Sequence, residues 1–578
     1  MMKKNRNYKT FRIGLIGAGF ALWLAVAGLR AGYLQLYRGE WLSSKAVGQV
    51  EEKVTVYGKR GTIYDAQHQA MAVSIETPSV AAYPAIMKNK ASAAVRLAKA
   101  LGLRARDVKR KLTGGRRFVW LKRQATPKEA EAVRALQLKG VDFIPEHTRY
   151  YPNTTLAAQV LGFTGIDGHG LEGLEFYYDR ELNGGEHTIT IFKDALGRGF
   201  DADELSGLAR AGNNLVLTLD RHIQYIAEQA LADAVTTCQA RSGMAMVMNP
   251  RTGALLALAH YPTFNPNAFR KYDRFTWRNR AITDPFEPGS TMKIFSAAAA
   301  LESGALTANS IFFCENGTYS VGRHTVHDHE SYGWLSLQQI VKYSSNIGAV
   351  KVAEKIGGRT LFKTLEAFGF GERTHIDCPG ESPGLLSNYK RWTSVDTGAI
   401  AFGQGVSVTG LQLITAASAV ANDGLMMKPH IVQAVIDPLG RPVRTMEPQP
   451  LNQVISVGTA QKVRRIMRTV ITDGGTGVAA DLAGYSVCGK TGTAQKIESN
   501  GQYARSKYVA SFIGFAPTER PALVALVVVD EPKTDHYGGT VAAPAFKRII
   551  KEALSYLNIA PPDGLQKLRV SWDMKVSG

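Results

Sequence analysis

A serine and a lysine three residues apart are the first pair that could do chemistry. Ser290 and Lys293 follow Glu287-Pro288-Gly289, where the sequence predicts the start of a helix. Residues three apart lie on the same helical face, so the lysine amine can reach the serine hydroxyl. Burial can lower the pKa of a lysine until it serves as the base that activates a serine nucleophile. The pair predicts nucleophilic catalysis, although an isolated S-x-x-K is more often an exposed helical turn.

A second polar group, Ser344-Ser345-Asn346, lies between two segments of helical periodicity. The hydroxyl of Ser344 could relay a proton, and the amide of Asn346 could hold both a carbonyl and an N–H group of a peptide. The alternative is that these residues only end one helix and cap the next, since Ser and Asn are common at such positions.

The third group, Lys490-Thr491-Gly492-Thr493, lies in a predicted strand. Alternation places Lys490 and Gly492 on one face, where the glycine lets a ligand backbone approach and the lysine offers positive charge to a carboxylate. The backbone N–H groups of Ser290 and Thr493 could together stabilise an oxyanion. The alternative is a structural strand in which the glycine marks a β-bulge.

The elements that must position these groups follow one order from Asn214 onward. A strand, a helix from Arg221 to about Cys238 and a hairpin come first, and helical spacing then dominates between about Ser290 and Asp423. Three further strands follow Tyr485, and a last helix runs from about Ala543 to Leu557. This order predicts an antiparallel sheet flanked by the terminal helices, with a helical insertion in its middle.

The amino terminus predicts a membrane anchor. Five Lys and Arg residues lie within residues 1–12, and the uncharged run Ile13–Leu29 follows them. We expect a cytoplasmic tail over 1–12 and a transmembrane helix over 13–33, with the rest of the chain on the far side of the membrane. A cleaved signal peptide is the alternative, with Ala25-Val26-Ala27 as its cleavage pattern, but the apolar run is longer than a signal core.

The net charge of +20 raises the question of nucleic acid binding. The sequence has no zinc-finger spacing, no RNA-binding sheet signature and no basic arm, so we expect a generally basic surface with no nucleic acid partner. An anionic membrane or a cell-wall precursor would also suit such a surface.

The four cysteines, at 238, 314, 378 and 488, are too few and too far apart for a disulfide framework. We expect small buried residues, although a bridge between Cys314 and Cys378 is compatible with an oxidising compartment.

The set S-x-x-K, S-x-N and K-T-G resembles the penicillin-binding proteins and the serine β-lactamases. Arg60-Gly61-Thr62-Ile63-Tyr64-Asp65, Arg149-Tyr150-Tyr151-Pro152 and the segment 170–175 (GLEGLE) are similar to the conserved boxes of the non-catalytic domain in class B penicillin-binding proteins. The carboxyl end, with GKTGTAQK and DEPKTDHYGGT, looks like the division-specific members of that class.

The resemblance implies a multidomain α/β (α+β) protein. We expect the anchor to precede a pedestal or dimerisation domain over 34–205, a transpeptidase domain over 206–560 and a loose tail over 561–578. The transpeptidase domain would have the fold of the serine β-lactamases.

The resemblance also implies a reaction and partners. Lys293 would deprotonate Ser290, Ser344 would relay a proton to the leaving D-alanine, and Asn346 would hold the peptide. Lys490, Thr491, Gly492 and Thr493 would bind the substrate near its terminal carboxylate. The implied partners are peptidoglycan stem peptides ending in D-Ala-D-Ala, β-lactams, a membrane glycan polymerase of the FtsW type and other division proteins, with no metal or cofactor.

Several alternatives stay open. A β-lactamase or carboxypeptidase would use water in place of an acceptor amine, and a division scaffold would use the anchor and pedestal more than the serine. An elongation-type transpeptidase would share the motifs, and the acceptor amine could belong to diaminopimelate or lysine.

Overall fold

The computed structural model describes residues 4–42, 51–193, 199–201, 211–498 and 501–561. The described residues divide into two compact units, the smaller lying within 1–58, 76–147 and 185–210 and the larger within 59–75, 148–184 and 211–578. The predicted tail over 561–578, apart from residue 561, and the predicted boundary between 205 and 206 fall outside the described residues. The domain boundaries therefore stay predictions.

The smaller unit begins with the helix Lys4–Gly32, which continues as a π-helical turn, Tyr33–Tyr37. Among the described residues, this is the one helix long and apolar enough to cross a membrane, over Thr10–Tyr37. The finding supports the predicted anchor.

The rest of this unit combines a small sheet with a helical lobe. The antiparallel sheet pairs Glu51–Tyr57 with Glu186–Lys193, which in turn pairs with Gly199–Asp201. The lobe has one 3₁₀ turn, Pro84–Ile86, and one strand, Val119–Lys122. Its three helices are Lys90–Leu101, Ala105–Thr113 and Pro127–Arg134. Two strands, Ala70–Ala82 and Val141–Tyr150, contribute residues to both units.

The larger unit is built on a five-stranded antiparallel sheet. Its strand order is Leu255–Tyr261, Ser242–Met248, Leu523–Asp530, Tyr503–Ala516 and Cys488–Ile497. The three central strands are buried over most of their length, so apolar side chains pack on both faces. One face lies against the helices Arg221–Thr237 and Ala543–Tyr556. This confirms the predicted sheet with its flanking terminal helices.

The opposite face of the sheet belongs to the same hydrophobic core as the inserted helices. These are Arg280–Thr283, Lys293–Glu302, Leu337–Tyr343, Asn346–Ile356, Gly358–Ala367, Ser394–Ala401, Gly410–Ala421 and Val457–Thr469. The insertion is less uniformly helical than predicted, because two short two-stranded sheets interrupt it between 311 and 336, and the inner one is a hairpin. Their strands are too short for alternation to show: Ile311–Phe313, Thr318–Val321, His324–His327 and Trp334–Ser336.

Shorter elements complete the larger unit. The strands Ile63–Tyr64, Asn214–Leu217, Val432–Ile436 and Pro442–Thr445 join one sheet, and Leu425–Met427 pairs with Pro450–Gln453. The remaining helices and 3₁₀ turns are Ala158–Leu161, Gly173–Tyr177, Asp179–Leu182, Pro266–Lys271, Arg274–Thr276, Gly289–Met292, Glu315–Gly317, Tyr389–Arg391, Val478–Ala480 and Gly538–Val541.

The three sequence boxes outside the catalytic motifs meet at one buried carboxylate. Glu175 accepts hydrogen bonds from Nε of Arg60 and Nε of Arg149, both at 2.6 Å. Arg60 also donates to the backbone carbonyl of Glu175 at 2.6 Å and to Asp179. Arg60, Arg149 and Glu175 are buried, whereas Asp179 is partly exposed, so the charge of each buried residue depends on its partners.

All four cysteines are buried and free, which confirms the expectation of small buried residues. Cys314 and Cys378 form no bridge in this structure.

Candidate active site

Ser290 lies on the 3₁₀ turn Gly289–Met292, which leads into the helix Lys293–Glu302. All but the last residue of this helix are buried, so its position is set by packing on every side. Gly289 has φ of +53°, and a Cβ there would lie 2.8 Å from the carbonyl oxygen of Thr493. Glycine at 289 therefore allows the serine turn to sit directly against the strand that carries K-T-G.

Lys293 directs its amine at Ser290, as the spacing predicts. Nζ of Lys293 lies 3.1 Å from Oγ of Ser290. The same amine donates to the carbonyl oxygen of Ser344 at 2.5 Å and to Oδ1 of Asn346 at 2.7 Å. Burial lowers the pKa of Lys293 to about 7, although the carboxylate of Asp328 opposes that shift.

The arrangement of acceptors around Lys293 suits a base. A neutral amine has two N–H groups, and two oxygens that can only accept are available for them, one on Ser344 and one on Asn346. The amide of Asn346 is oriented by its NH₂ group, which donates to the carbonyl of His327 at 3.1 Å. The single lone pair of the neutral amine of Lys293 is then free to accept the hydroxyl hydrogen of Ser290.

Ser344 and Asn346 belong to a helix boundary, so the capping interpretation of S-x-N also holds. Ser344 ends the helix Leu337–Tyr343 with φ of +62°. Ser345 is the N-cap of the next helix, Asn346–Ile356, and accepts from the backbone N–H of Gly348 at 2.9 Å. The same turn therefore caps a helix and points two polar groups at Lys293.

Asp328 holds this turn in place, and sequence reasoning missed it. Its carboxylate accepts from the hydroxyl of Ser345 at 2.5 Å, from the backbone N–H of Ile347 at 3.0 Å and from that of Asn346. Asp328 directly follows the short hairpin strand His324–His327. No spacing in the sequence relates it to residue 346, so only the folded hairpin reveals the contact.

Lys490 lies on the outermost strand of the central sheet, where its register pairs it with Ile513. Its amine donates to Oγ of Ser344 at 2.9 Å and to the carbonyl of Thr491 at 3.0 Å. Lys490 is fully buried. Burial and the nearby charge of Lys293 hold its pKa well below the usual range for lysine.

The rest of K-T-G-T packs tightly beside the serine turn. A Cβ at Gly492 would lie 2.2 Å from Oγ of Ser511 and 2.9 Å from the methyl group of Thr291. Thr491 is buried, and its hydroxyl pairs with that of Thr476 at 3.0 Å. The hydroxyl of Thr493 accepts from the backbone N–H of Gly538 at 3.2 Å. Gly492 therefore fits because any side chain would push the strand away from the turn.

The three motifs thus meet around one hydroxyl, that of Ser344, which both lysines reach. Ser290, Lys293, Ser344, Asn346 and Lys490 form a continuous polar chain. Within the described part of the sequence, no group of three or more His, Cys, Asp or Glu side chains could hold a metal ion. The chemistry available to these residues is proton transfer and nucleophilic attack by a serine.

Two family models match the chain. Residues 243–551 match the penicillin-binding protein transpeptidase domain, and residues 55–217 match the penicillin-binding protein dimerisation domain. The transpeptidase match contains all three motifs.

Known proteins are similar over nearly the whole length. The chain is 35% identical to the probable peptidoglycan D,D-transpeptidase PenA of Neisseria meningitidis, over 95% of this chain and 93% of that protein. It is 31% identical to the peptidoglycan D,D-transpeptidase FtsI of Escherichia coli, over 97% of this chain and 94% of that protein. A crystal structure of penicillin-binding protein 3 from Mycobacterium tuberculosis with aztreonam superimposes with a TM-score of 0.69 at 28% identity, covering 88% of this chain and 98% of that one.

Proposed function

This chain belongs to the class B penicillin-binding proteins, and on that premise we propose that it cross-links peptidoglycan stem peptides as a serine D,D-transpeptidase. It is a target of β-lactam antibiotics through the same serine. The observation that carries the proposal is the 3.1 Å contact between Lys293 and Ser290, with the two N–H groups of the neutral amine already engaged.

The first half-reaction forms an acyl-enzyme. Lys293 accepts the hydroxyl proton of Ser290, whose oxygen attacks the carbonyl carbon of the penultimate D-alanine. The backbone N–H groups of Ser290 and Thr493 stabilise the oxyanion. The peptide C–N bond breaks, and the terminal D-alanine leaves with a proton delivered through Ser344.

The second half-reaction restores the serine. A side-chain amine of a neighbouring stem peptide attacks the ester carbonyl, a new amide forms, and Ser290 recovers its proton as the ester bond breaks. Asn346 holds the peptide backbone, and Lys490 and Thr493 receive the terminal carboxylate. Thr491 and Gly492 complete the substrate-binding strand between them. A carboxylate beside Lys490 would restore the charge that burial disfavours there.

The larger setting of the reaction is part of the same proposal. The amino-terminal helix anchors the chain in the cytoplasmic membrane and places both predicted domains, 34–205 and 206–560, on the outer side. The similarity to a relative named FtsI supports a role at the division septum, with a glycan polymerase and other division proteins as partners. Protease added outside spheroplasts should degrade everything after the anchor and spare the tail over residues 1–12.

A fluorescent penicillin tests the reaction itself. The full chain should form a stable adduct on the peptide that contains Ser290, and Ser290→Ala should abolish it. Ser303→Ala changes a serine just beyond the end of the helix Lys293–Glu302, which follows Ser290. It is the matched control and should label normally. Rapid loss of label with drug turnover would indicate a hydrolase, and a folded chain that never labels would indicate a scaffold.

A further inference from the structure

Residues 88–139, which make up the helical lobe of the smaller unit after its first turn, hold most of the net positive charge of the protein. They include sixteen lysines and arginines against three acidic residues, a net charge of +13 out of +20 for the whole chain. The excess positive charge is therefore concentrated in one region, whereas we expected it to be spread over the whole surface. Fewer than one residue in ten supplies about two thirds of the excess charge.

These cations are exposed and mostly without acidic partners. Thirteen of the sixteen are solvent-exposed. Among the described residues, ion pairs of the lobe involve only Arg104 and Arg110 with Asp107, Lys122 with Glu129, and Arg123 with Glu146. Eleven exposed cations therefore have no carboxylate in ion-pair contact. Repulsion among these eleven cations lowers the stability of the folded lobe. We take the retention of so many unpaired cations as an indication that the surface serves binding.

The folding of the lobe leaves the charge on its outside. In the helix Ala105–Thr113, only Val108 and Leu112 are buried, and Arg106, Lys109 and Arg110 remain exposed. The turn after this helix adds Arg116 and Arg117, both exposed. The cations thus extend over three helices and their connections instead of converging on one pocket, which suits a ligand with many separated negative charges.

The chemistry of this surface is almost purely electrostatic. Within residues 88–139, the one large apolar side chain that is highly exposed is that of Val95, at 61%. Surfaces that enter a lipid interface normally add exposed Trp, Phe or Leu side chains to their cations. A hydrated polymer with regularly spaced carboxylates needs no such side chains.

We propose that the lobe is a non-catalytic binding surface for uncrosslinked peptidoglycan, held through the carboxylates of its stem peptides. The proposal rests on the proposed function, because the polymer that the lobe holds is the polymer whose stems Ser290 acylates. Binding at a second place on the chain raises the effective concentration of stems at the active site.

The test uses the full chain in phosphatidylcholine nanodiscs, with Ser290 already acylated by penicillin so that the active site is closed. The probe is soluble, fluorescently labelled, uncrosslinked peptidoglycan strands, and its matched control is the same strands with their carboxylates amidated. The lobe variant carries Arg106→Glu, Lys109→Glu, Arg116→Glu and Arg117→Glu. A second variant with four exposed cations reversed in the larger unit controls for net charge: Lys355→Glu, Arg359→Glu, Lys547→Glu and Lys551→Glu.

We expect the lobe variant to bind the strands at least about tenfold more weakly, and the control variant to bind as the parent does. Raising the salt from about 0.05 to about 0.5 M should weaken strand binding by the parent more steeply than strand binding by the lobe variant, which keeps twelve of the sixteen cations. Exchanging Arg106, Arg116 and Arg117 for lysine should preserve binding.

A parallel measurement replaces the strands with phosphatidylglycerol vesicles. The proposal would be overturned if the lobe variant bound the strands as tightly as the parent, or if the parent bound the amidated strands as tightly as the unmodified ones. It would also be overturned if the lobe changes affected binding to the vesicles alone. Acylation by penicillin is measured on the same samples and reports the active site separately. Normal acylation with no lobe effect would reject the binding surface alone, whereas absent acylation would reject the proposed function.

Discussion

Lys293 and Lys490 both reach one oxygen, Oγ of Ser344, at 3.3 and 2.9 Å. Both amines are buried, and each carries a lowered pKa. Two ammonium groups on one hydroxyl would repel each other in a site with little water to screen them. We therefore expect at most one of the two lysines to be charged before a substrate carboxylate arrives, which leaves the other as a base.

The first prediction concerns the pH dependence of acylation. The rate constant for acylation of Ser290 by penicillin should rise with pH through about 7, because Lys293 has a pKa of about 7 and accepts a proton only in its neutral form. Rates measured between about pH 5 and 9 give the profile. A flat or falling profile over that range would contradict the role of Lys293 as the base.

Lys293→Arg provides the variant for this prediction. A guanidinium stays protonated throughout the range, so the rate should fall by at least about 10²-fold and the midpoint near pH 7 should vanish. Lys355→Arg changes an exposed lysine outside the site and should leave both unchanged.

The second prediction separates Asp328 from a purely structural role. Its negative charge raises the pKa of Lys293, so Asp328→Asn should move the midpoint of the acylation profile to lower pH. The variant also weakens three hydrogen bonds to the turn, which should cost about 1–3 kcal/mol in the free energy of unfolding. Asp396→Asn removes the carboxylate of an exposed capping box and should lower stability slightly with no shift in the profile. An unchanged midpoint in Asp328→Asn would reject the electrostatic link.

The third prediction tests the proton relay. Ser344→Ala should slow acylation by about 10²- to 10⁴-fold at pH 8, because the path between the two lysines and the leaving group is lost. Ser345→Ala is the neighbouring comparison, since its hydroxyl caps a helix and should affect melting temperature more than rate. If Ser344→Ala is acylated as fast as the parent, the relay runs through another group.

The sequence predicted the site better than its surroundings. Local spacing predicted that Lys293 would reach Ser290, and strand alternation predicted the strand that carries Lys490. The contact between Asp328 and Asn346 depends on a hairpin whose strands are too short to leave a periodic pattern. Nor could spacing show that both lysines share Ser344, because that distance depends on packing between a helix, a turn and a strand.

The last prediction concerns the cluster that joins the non-catalytic sequence boxes. Glu175→Gln should lower the free energy of unfolding by about 3–5 kcal/mol, because it leaves the charges of Arg60 and Arg149 buried without a full counter-charge. The pKa of Glu175 is lowered in the folded chain by the two arginines, which outweigh the effect of burial. Its contribution to stability is therefore present above the unfolded pKa of a glutamate and is lost as the pH falls.

Thermal unfolding of the full chain at several pH values checks this cluster. The parent should lose stability on acidification more steeply than Glu175→Gln, whose side chain does not titrate. Glu172→Gln, at an exposed position three residues earlier, should change stability by less than about 0.5 kcal/mol. Molecules of Glu175→Gln that remain folded should acylate at the parent rate, because the cluster touches none of the residues around Ser290. A loss of acylation without a loss of stability would instead assign the cluster to the reaction.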